Sequence, residues 1–315
     1  MNTLRPAIFA SLWFLPCCTS ASSAPHKAYV GLFGDNAVAV VDLATATVLA
    51  TIPVPAPDGL VITPDGAKVF VSSNNADVVD VIDTAKDAIE TSITVGTQPA
   101  GLAITPDGRS IVVSVQGDGQ AAIIDTQTET VSGKVPVAKA HNSAISPDGT
   151  SAYVASQVAA TPAIDVVGMA GATGGATYAL DKSPRAIAAL GTELYVTLAG
   201  SDAIDVLDAA TGTPAASIAT GGSPHDIRPT LDGALVLTVS QTAGELEGID
   251  PTSRSVTTHV PTGQMPHWIA LASDGKLAYV TNEGDNNFVA VDLATKLVTQ
   301  TIAVGKGPRK IAVQP

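Results

Sequence analysis

Aromatic residues are scarce in this sequence and make up only 4% of its 315 residues. A chain with so few large rings must fill its interior with small and β-branched side chains, which favours many short strands. Its 28 glycines and 21 prolines add many turns and disfavour a mainly helical fold. The length suits one large domain or two ordinary ones, with enough residues for a substantial core.

Charged residues are also few, at 14%, and basic ones are fewest: 16 Lys and Arg stand against 29 Asp and Glu. The resulting net charge of −13 gives a surface that repels phosphate backbones, and this disfavours a nucleic-acid partner. Long apolar runs are missing after the first 24 residues. The sequence therefore predicts no membrane span.

Cysteine is nearly absent, and Cys17 and Cys18 both lie in an N-terminal segment unlike the rest of the chain. MNTLR carries a positive charge, PAIFASLWFL is a short apolar run, and CCTSASSA is small and polar. This pattern predicts a secretory signal peptide at residues 1–24, with cleavage after Ala21 or Ala24. We therefore expect a periplasmic or secreted protein that has no disulfide. A lipoprotein attached through Cys18 is the weaker alternative, because the small residue expected before the lipidated cysteine is missing.

Two aspartate-containing motifs recur along the chain with nearly the same spacing. The first is a PDG-like turn with Asp65, Asp107, Asp148, Asp232 and Asp274. The second is a DLAT-like turn with Asp42, Asp83, Asp125, Asp208, Asp250 and Asp292. Both series advance by 41 or 42 residues, apart from one double interval in each. Because two separate markers keep the same period, the chain contains an internal repeat of about forty residues.

Each repeat has the pattern of four short strands joined by turns. Residues 98–135 contain GLAIT, SIVVSV, AAIIDT and VSGKVPV, and Gly, Pro or Asp residues stand between these segments. Four antiparallel strands in about forty residues are typical of one blade of a β-propeller. Whole copies begin near residues 57, 99, 140, 184, 224 and 266.

A seventh blade is divided between the two ends of the repeat region. Residues 27–54 contain only the second to fourth strands, and residues 307–315 contain only a first strand. We therefore predict an all-β fold over residues 25–315, a seven-bladed β-propeller of four-stranded antiparallel blades. The ring closes by pairing the N-terminal strands with the C-terminal strand, which leaves no free strand edge at the seam.

The second strands carry a recognisable motif, seen as VFVSS at 69–73, LYVTL at 194–198 and AYVTN at 278–282. With the PDG turns, they resemble the YVTN-type β-propeller repeats of bacterial periplasmic and archaeal surface-layer proteins. The resemblance covers essentially all of residues 27–315 and implies the seven-bladed fold. The wider superfamily includes lactonases, a streptogramin lyase, haem- and copper-bearing reductases, amine-dehydrogenase subunits and interaction modules, so the resemblance does not select a function.

The innermost strand of each blade begins on one face of the ring, which we call the upper face. It ends at the PDG turn on the opposite, lower face. The second residue of the inner strand, which we call the rim position, varies most from blade to blade. In chain order the rim position holds Asp58, Ala100, His141, Arg185, His225, His267 and Arg309. These side chains should converge on the axis of the ring, and three of the chain's five histidines are among them.

Three interpretations of the rim position remain open. Its polar residues can form a solvated rim without a ligand. Alternatively, His141, His225 and His267 bind a divalent transition metal (Zn, Cu or Fe), or one of them acts as a general base.

The third interpretation is an anion site. Arg185 and Arg309 would clamp a carboxylate or a phosphate, and they reverse the charge of an acidic protein locally. Trp268, directly after His267, would provide a stacking wall, and Asp226 is a neighbouring polar group.

Other polar residues receive no assigned role at this stage. Glu245 and Glu247 are placed just before the third strand of the sixth blade, and His26 and His259 fall outside the rim position. The repeated turn aspartates are expected to cap turns. In the fourth blade, the glycines around Gly171 predict a looser turn.

The sequence favours an exported, monomeric binding or interaction protein that uses the upper face of the propeller. Its partner would be a small molecule, an anion or another protein. The alternative is a metal-dependent propeller enzyme, similar to the lactonases, lyases or oxidoreductases, with a histidine cluster at the channel mouth. The sequence contains no G-x-S-x-G, H-E-x-x-H or C-x-x-C-H motif, so the common hydrolase and covalent-haem sites are not indicated.

Overall fold

The computed structural model describes residues 26–315, which form twenty-eight β-strands in seven four-stranded antiparallel sheets. This confirms the predicted all-β, seven-bladed propeller. The signal-peptide prediction, both cysteines and Pro25 lie outside the described residues. Within that part of the chain, no helix is long and apolar enough to cross a membrane.

The seven blades contain the following strands, given from the axis outward. Blade 1 contains β28 (Pro308–Val313), β1 (Lys27–Leu32), β2 (Ala37–Asp42) and β3 (Thr47–Pro53). Blade 2 contains β4 (Pro57–Ile62), β5 (Lys68–Ser73), β6 (Val78–Asp83) and β7 (Ala88–Thr94). Blade 3 contains β8 (Pro99–Ile104), β9 (Ser110–Val115), β10 (Gln120–Asp125) and β11 (Thr130–Pro136). Blade 4 contains β12 (Ala140–Ile145), β13 (Ser151–Ser156), β14 (Ala163–Gly168) and β15 (Thr173–Ala179). Blade 5 contains β16 (Pro184–Leu190), β17 (Glu193–Leu198), β18 (Ala203–Asp208) and β19 (Pro214–Ala219). Blade 6 contains β20 (Pro224–Pro229), β21 (Val236–Ser240), β22 (Glu245–Asp250) and β23 (Ser255–Pro261). Blade 7 contains β24 (Pro266–Leu271), β25 (Leu277–Asn282), β26 (Asn287–Asp292) and β27 (Leu297–Ala303).

The ring closes through blade 1, as predicted. β28 pairs antiparallel with β1, so that Ala28 lies opposite Val313. Blade 1 is also tied to blade 2 by Asp87, whose carboxylate accepts hydrogen bonds from Lys27 Nζ and Tyr29 Oη, each at 2.7 Å. The seam is therefore held both by strand pairing and by a polar contact with the next blade.

The core is divided into seven hydrophobic clusters, one at each contact between neighbouring blades. Valine, isoleucine, leucine and alanine dominate them, as the low aromatic content predicts. The few large buried rings, such as Tyr29, Phe70, Tyr195 and Phe288, are fully buried between sheets. Small side chains allow twisted sheets to pack face to face around a narrow axis.

The loops are divided between the two faces as the repeat predicts. On the upper face, the loop after the second strand contacts the residues that lead into an inner strand. In blade 1, for example, the backbone N–H of Gly34 donates a hydrogen bond to Lys306 O. On the lower face, the DLAT-like turn contacts the PDG-like turn, and Thr84 Oγ1 donates to Gly66 O at 2.7 Å.

The turn aspartates have the predicted capping role. Asp42 Oδ1 accepts hydrogen bonds from the backbone N–H groups of Ala44 and Thr45. These hydrogen bonds lower the pKa of the Asp42 carboxyl, because they stabilise its charged form. The prediction for blade 4 was wrong: residues 169–172 form a four-residue turn like those of other blades, and Gly174 and Gly175 lie inside β15.

Every inner strand has a register shift near its second and third residues. In blade 6, for example, the pairing of β20 with β21 shifts between Pro224 and Ile227. A β-bulge inserts an extra residue and changes the direction of nearby side chains. The strict alternation of a flat strand is therefore lost where the blades meet the axis.

Candidate functional site

One residue beyond the rim position, the bulged inner strands contain a second set of residues, and the longer side chains among them reach the axis. These third residues of the inner strands are Gly59, Gly101, Asn142, Ala186, Asp226, Trp268 and Lys310. Lys310 of blade 1 reaches Asn142 of blade 4, with 3.0 Å between Nζ and Oδ1. Because these blades are not neighbours, the contact crosses the axial channel.

Lys310 is the central cation of this channel and is only 4% exposed. Its Nζ lies 2.8 Å from the centroid of the Trp268 ring. Burial lowers the pKa of Lys310 to about 7, while the carboxylates of Asp226 and Asp58 act in the opposite direction. The lysine therefore changes charge near neutral pH. The sequence interpretation missed it, because Lys310 directly follows the rim residue Arg309, and only the rim position was expected to face the axis.

Asp226 is the acidic group of the same region and is 1% exposed. Its Oδ2 accepts a hydrogen bond from the backbone N–H of Ile269 in blade 7, at 2.9 Å. Burial raises the pKa of the Asp226 carboxyl, and the charges of Arg228 and Lys310 partly offset this effect. Asp226 therefore links two blades and also faces the channel cations.

His225 and His267 are in direct contact, and their ring centroids are 4.0 Å apart. Burial lowers the pKa of His225 to about 3 and the pKa of His267 well below its usual value, with further lowering from nearby cations. Both rings are therefore neutral at pH 7. Among the described residues, neither Nδ1 atom has a hydrogen-bond partner.

His141 is also directed towards the channel, and its Nδ1 accepts a hydrogen bond from Asn142 Nδ2 at 3.1 Å. Burial lowers the pKa of His141 as well. The three rim histidines do not form a compact ligand set. Within residues 26–315, one trio of acidic or histidine side chains has all its ligand atoms within 4.8 Å of one another, and it is Glu245, Glu247 and His259.

The two rim arginines already have partners on the upper face. Arg185 Nη1 donates to Ser223 Oγ at 3.2 Å. Arg309 Nε donates to Glu283 Oε1 at 3.1 Å, and its guanidinium carbon lies 3.8 Å from the centroid of the Phe33 ring. The structure does not bring these arginines together with Trp268 and Asp226 in the single clamp that the anion interpretation describes.

Trp268 and Asp226 instead lie at the inner end of a cavity that opens on the lower face. This funnel has a volume of about 930 Å³ and is lined by residues of six blades. Apolar side chains such as Leu102 and Ile187 form its walls. Arg228 is near its base, 5.8 Å from the centroid of the Trp268 ring, and in the described part of the chain its buried Nε has no partner.

The funnel and the rim are therefore two ends of one channel with different chemistry. The upper end contains neutral imidazoles and paired arginines. The lower end is apolar, and at its base the Arg228 Nε–H has no partner among residues 26–315. Lys310, Asn142 and Trp268 lie between the two ends.

Two protein-family models match overlapping parts of the ring. The choice-of-anchor I domain matches residues 60–225, more than half of the chain, and the YNCE-like β-propeller matches residues 186–314. The chain belongs to the choice-of-anchor I domain family, and its residues 186–314 are similar to the YNCE-like β-propeller. This confirms the resemblance to YVTN-type seven-bladed propellers. No curated protein sequence matches the chain.

Solved structures of similar shape belong to proteins with varied roles. A functionally unknown protein from Desulfotomaculum acetoxidans has a TM-score of 0.80 and 16% identity, with 91% of this chain and 98% of that chain covered. A putative 6-phosphogluconolactonase from Bacteroides uniformis has a TM-score of 0.72 and 16% identity, covering 92% and 99%. Hydrazine synthase from Kuenenia stuttgartiensis has a TM-score of 0.71 and 20% identity, covering 81% and 88%. At these identities the likeness shows the fold alone.

Proposed function

We propose that this propeller of the choice-of-anchor I family is an exported binding protein whose axial channel holds a small organic anion with an apolar body. The ligand enters through the funnel on the lower face. The observation that carries this proposal is Arg228, a partly exposed arginine at the base of an apolar cavity, whose buried Nε atom has no hydrogen-bond partner within residues 26–315. A guanidinium N–H in such a position is suited to a carboxylate or a phosphate.

The charge distribution along the channel supports an anionic ligand. Arg228, Lys310 and Arg185 contribute positive charge, whereas Asp226 and Asp58 contribute negative charge. The carboxylate of Glu283 is already engaged by Arg309. The channel is thus less negative than the rest of a chain with a net charge of −13, which would attract an anion to it.

The funnel walls support a ligand with an apolar or aromatic part. Apolar walls with a few polar groups are typical of small-molecule sites, because they exclude water and strengthen the polar contacts inside. Trp268 provides an aromatic face beside Arg228, on which a planar ligand can stack.

The intrinsic fluorescence of Trp268 tests the proposal, because it is the sole tryptophan of residues 26–315. The probes are phenyl phosphate, benzoate and the neutral analogue benzyl alcohol. We expect the two anions to change the fluorescence in a saturable way, with affinity reduced roughly tenfold or more in Arg228→Met. Arg109→Met, the same change at an exposed arginine, is the matched control and should leave affinity unchanged.

Two results would count against this assignment. Equal affinity for benzyl alcohol and for phenyl phosphate would show that the charge of Arg228 does not contribute to binding. Binding that is lost in Arg185→Met but kept in Arg228→Met would move the ligand to the upper face, where the sequence interpretation placed it.

A second candidate is an enzyme that uses the same channel for acid–base chemistry. Lys310 favours it, since a lysine with a pKa of about 7 exchanges protons readily near neutral pH. The metal-dependent form of this candidate uses His141, His225 and His267 as ligands for Zn, Cu or Fe. Elemental analysis of the native protein and of His225→Ala tests that form, and hydrolysis of a panel of lactones and esters by the wild type and Lys310→Met tests the metal-free form.

A further inference from the structure

Blade 6 contains a cluster of three candidate metal ligands away from the axial channel. Glu245 and Glu247 lie on β22, and His259 lies opposite Glu247 on β23. The Nδ1 atom of His259 is 3.1 Å from Glu245 Oε2 and 3.8 Å from Glu247 Oε1. Because Glu245 and Glu247 lie inside the strand and not before it, their side chains point to the same face of the sheet.

Glu247 is an unusual member of this cluster, because its side chain is fully buried. Its Oε1 accepts a hydrogen bond from the backbone N–H of Gly221 at 2.7 Å. Its Oε2 has no hydrogen-bond partner within residues 26–315. Burial raises the pKa of the Glu247 carboxyl, so its charged form is poorly stabilised by the surrounding protein.

The backbone of the preceding blade is shaped around this carboxylate. Gly221 lies in the connection from blade 5 to blade 6, and a Cβ atom added there would lie only 2.6 Å from Glu247 Oε1. Glycine at this position therefore leaves the space that the carboxylate group occupies.

Three other blades, blades 2, 4 and 5, also have an acidic residue at this position of the third strand. Acidic residues at the position of Glu247 each face a hydroxyl on the fourth strand: Asp80 with Ser92, Asp165 with Thr177, and Asp205 with Ser217. A hydroxyl donates a hydrogen bond to the carboxylate and completes the pair. Blade 6 departs from this pattern, because its acid is a glutamate, its partner is an imidazole and a second carboxylate lies beside them.

We propose that Glu245, Glu247 and His259 form a binding site for a divalent transition metal ion, with Zn²⁺ as the representative ion. A tetrahedral Zn²⁺ with bonds of 2.0–2.2 Å places neighbouring ligand atoms about 3.4 Å apart. The two distances from His259 Nδ1, 3.1 and 3.8 Å, lie on either side of this value. One imidazole with two carboxylates suits Zn²⁺ better than Ca²⁺ or Mg²⁺, which favour all-oxygen sites.

The location indicates what the ion would do. His259 is more than half exposed, so an ion reaches the cluster from solvent and keeps an open coordination position there. Through Glu247 the site also contacts the connection from blade 5. A bound ion would therefore join the two outer strands of blade 6 to blade 5 and balance a buried negative charge.

Calorimetric titration of the chelator-treated full chain with ZnCl₂ tests the site. We expect one Zn²⁺ to bind per chain, with affinity reduced by roughly 100-fold or more in Glu247→Gln and in His259→Ala. Asp205→Asn, which changes the equivalent acid of blade 5, is the matched control and should leave Zn²⁺ affinity unchanged. Titration with Co²⁺ should give the visible absorption of a tetrahedral centre in the wild type, and His259→Ala should lose it.

A double variant, His225→Ala with His267→Ala, separates this site from the axial histidines. If Zn²⁺ binds to it as to the wild type, the ion is held in blade 6, whatever the outcome for the axial ligand. If the double variant loses Zn²⁺ while His259→Ala retains it, the proposal is overturned. Unchanged affinity in Glu247→Gln, or equal affinity for Ca²⁺ and Zn²⁺, would overturn it too. Because His259 is largely exposed, its replacement should preserve the fold, and circular dichroism checks this.

Discussion

The ammonium group of Lys310 rests on the indole ring of Trp268, 2.8 Å from the ring centroid. These residues come from blades 1 and 7, which are neighbours in the ring. The aromatic face stabilises a positive charge, whereas burial destabilises it. Burial lowers the pKa of Lys310 to about 7, against the opposing charges of Asp226 and Asp58, and Lys310 is therefore the most direct source of pH dependence in the channel.

Stability should therefore depend on pH through Lys310. Its pKa is about 7 in the folded protein and 10.5 in an unperturbed lysine, so the unfolded chain holds one more proton between these values. The free energy of unfolding of the wild type should rise with pH over this range, relative to Lys310→Met, by at most about 1.4 kcal/mol per pH unit. Urea unfolding at several pH values measures this difference. Lys276→Met alters an exposed lysine, and its free energy of unfolding should depend on pH as that of the wild type does. If the difference between the wild type and Lys310→Met is the same at every pH, the lowered pKa of Lys310 is contradicted.

The buried histidines should make the protein sensitive to acid. Burial lowers the pKa values of His225 and His267, so below about pH 6.5 the unfolded chain binds protons that the folded protein excludes. Their contribution to stability is fully present above that pH and is lost as the pH falls towards the folded pKa values. The double variant His225→Gln and His267→Gln should lose less stability between neutral and acidic pH than the wild type. If the free energy of unfolding depends on pH in the same way in both proteins, the pKa values of these two rings are not lowered by folding.

Asp87 should contribute more to stability than its surface position suggests, because it holds both Lys27 and Tyr29 at the seam. Asp87 has a positive φ of 50°, and asparagine tolerates this conformation, so Asp87→Asn tests the charge without adding backbone strain. We expect a loss of about 1–3 kcal/mol in the free energy of unfolding. Lys86→Ala, which removes the exposed ion pair with Asp83, is the control and should have no measurable effect. If both variants have the same free energy of unfolding as the wild type, the contact of Asp87 with Lys27 and Tyr29 does not contribute to stability.

The inner strand of blade 2 should reject any side chain at Gly59. A Cβ atom there would lie 2.2 Å from the carbonyl oxygen of Ala100 and 2.3 Å from Leu102 Cδ1. Gly59→Ala should therefore lower the free energy of unfolding by about 1–3 kcal/mol or more through overpacking. Gly174→Ala is the control, because its nearest atom, Val135 Cγ1, is 3.7 Å away. Thermal unfolding compares the two variants, and equal midpoints would show that the inner strands can move apart.

The fold could be predicted because the turn residues are periodic. Asp42 and Asp65 recur in later blades since each repeat needs the same capped turns, and the spacing alone gives the number of blades. The rim position could be located in the same way, and His225 and His267 do meet.

The rest of the channel depends on the bulge of the inner strand, for which the sequence has no motif. In a regular strand Arg309 and Lys310 would point to opposite faces, so only one of them would be expected at the axis. The bulge directs both inward, and for this reason Lys310 and Asn142 were missed. The pairing of Arg309 with Glu283 was also unpredictable, because the two residues come from different blades.

His259 lies outside both the rim position and the repeated turns, so neither of these patterns points to it. The pairs Asp80 with Ser92 and Asp205 with Ser217 stand at the same register as Glu247 with His259. Comparing this pair of positions across the repeats would have revealed the exception in blade 6 from sequence alone.

The division of blade 1 has a consequence for biosynthesis. Its three outer strands are translated first, at residues 27–53, while its inner strand, residues 308–313, is translated after every other blade. During translation β1 therefore remains a free edge, able to pair with other chains, until six complete sheets have left the ribosome. Premature termination before Pro308 would yield six intact blades and an unsealed ring, and such a product is expected to aggregate.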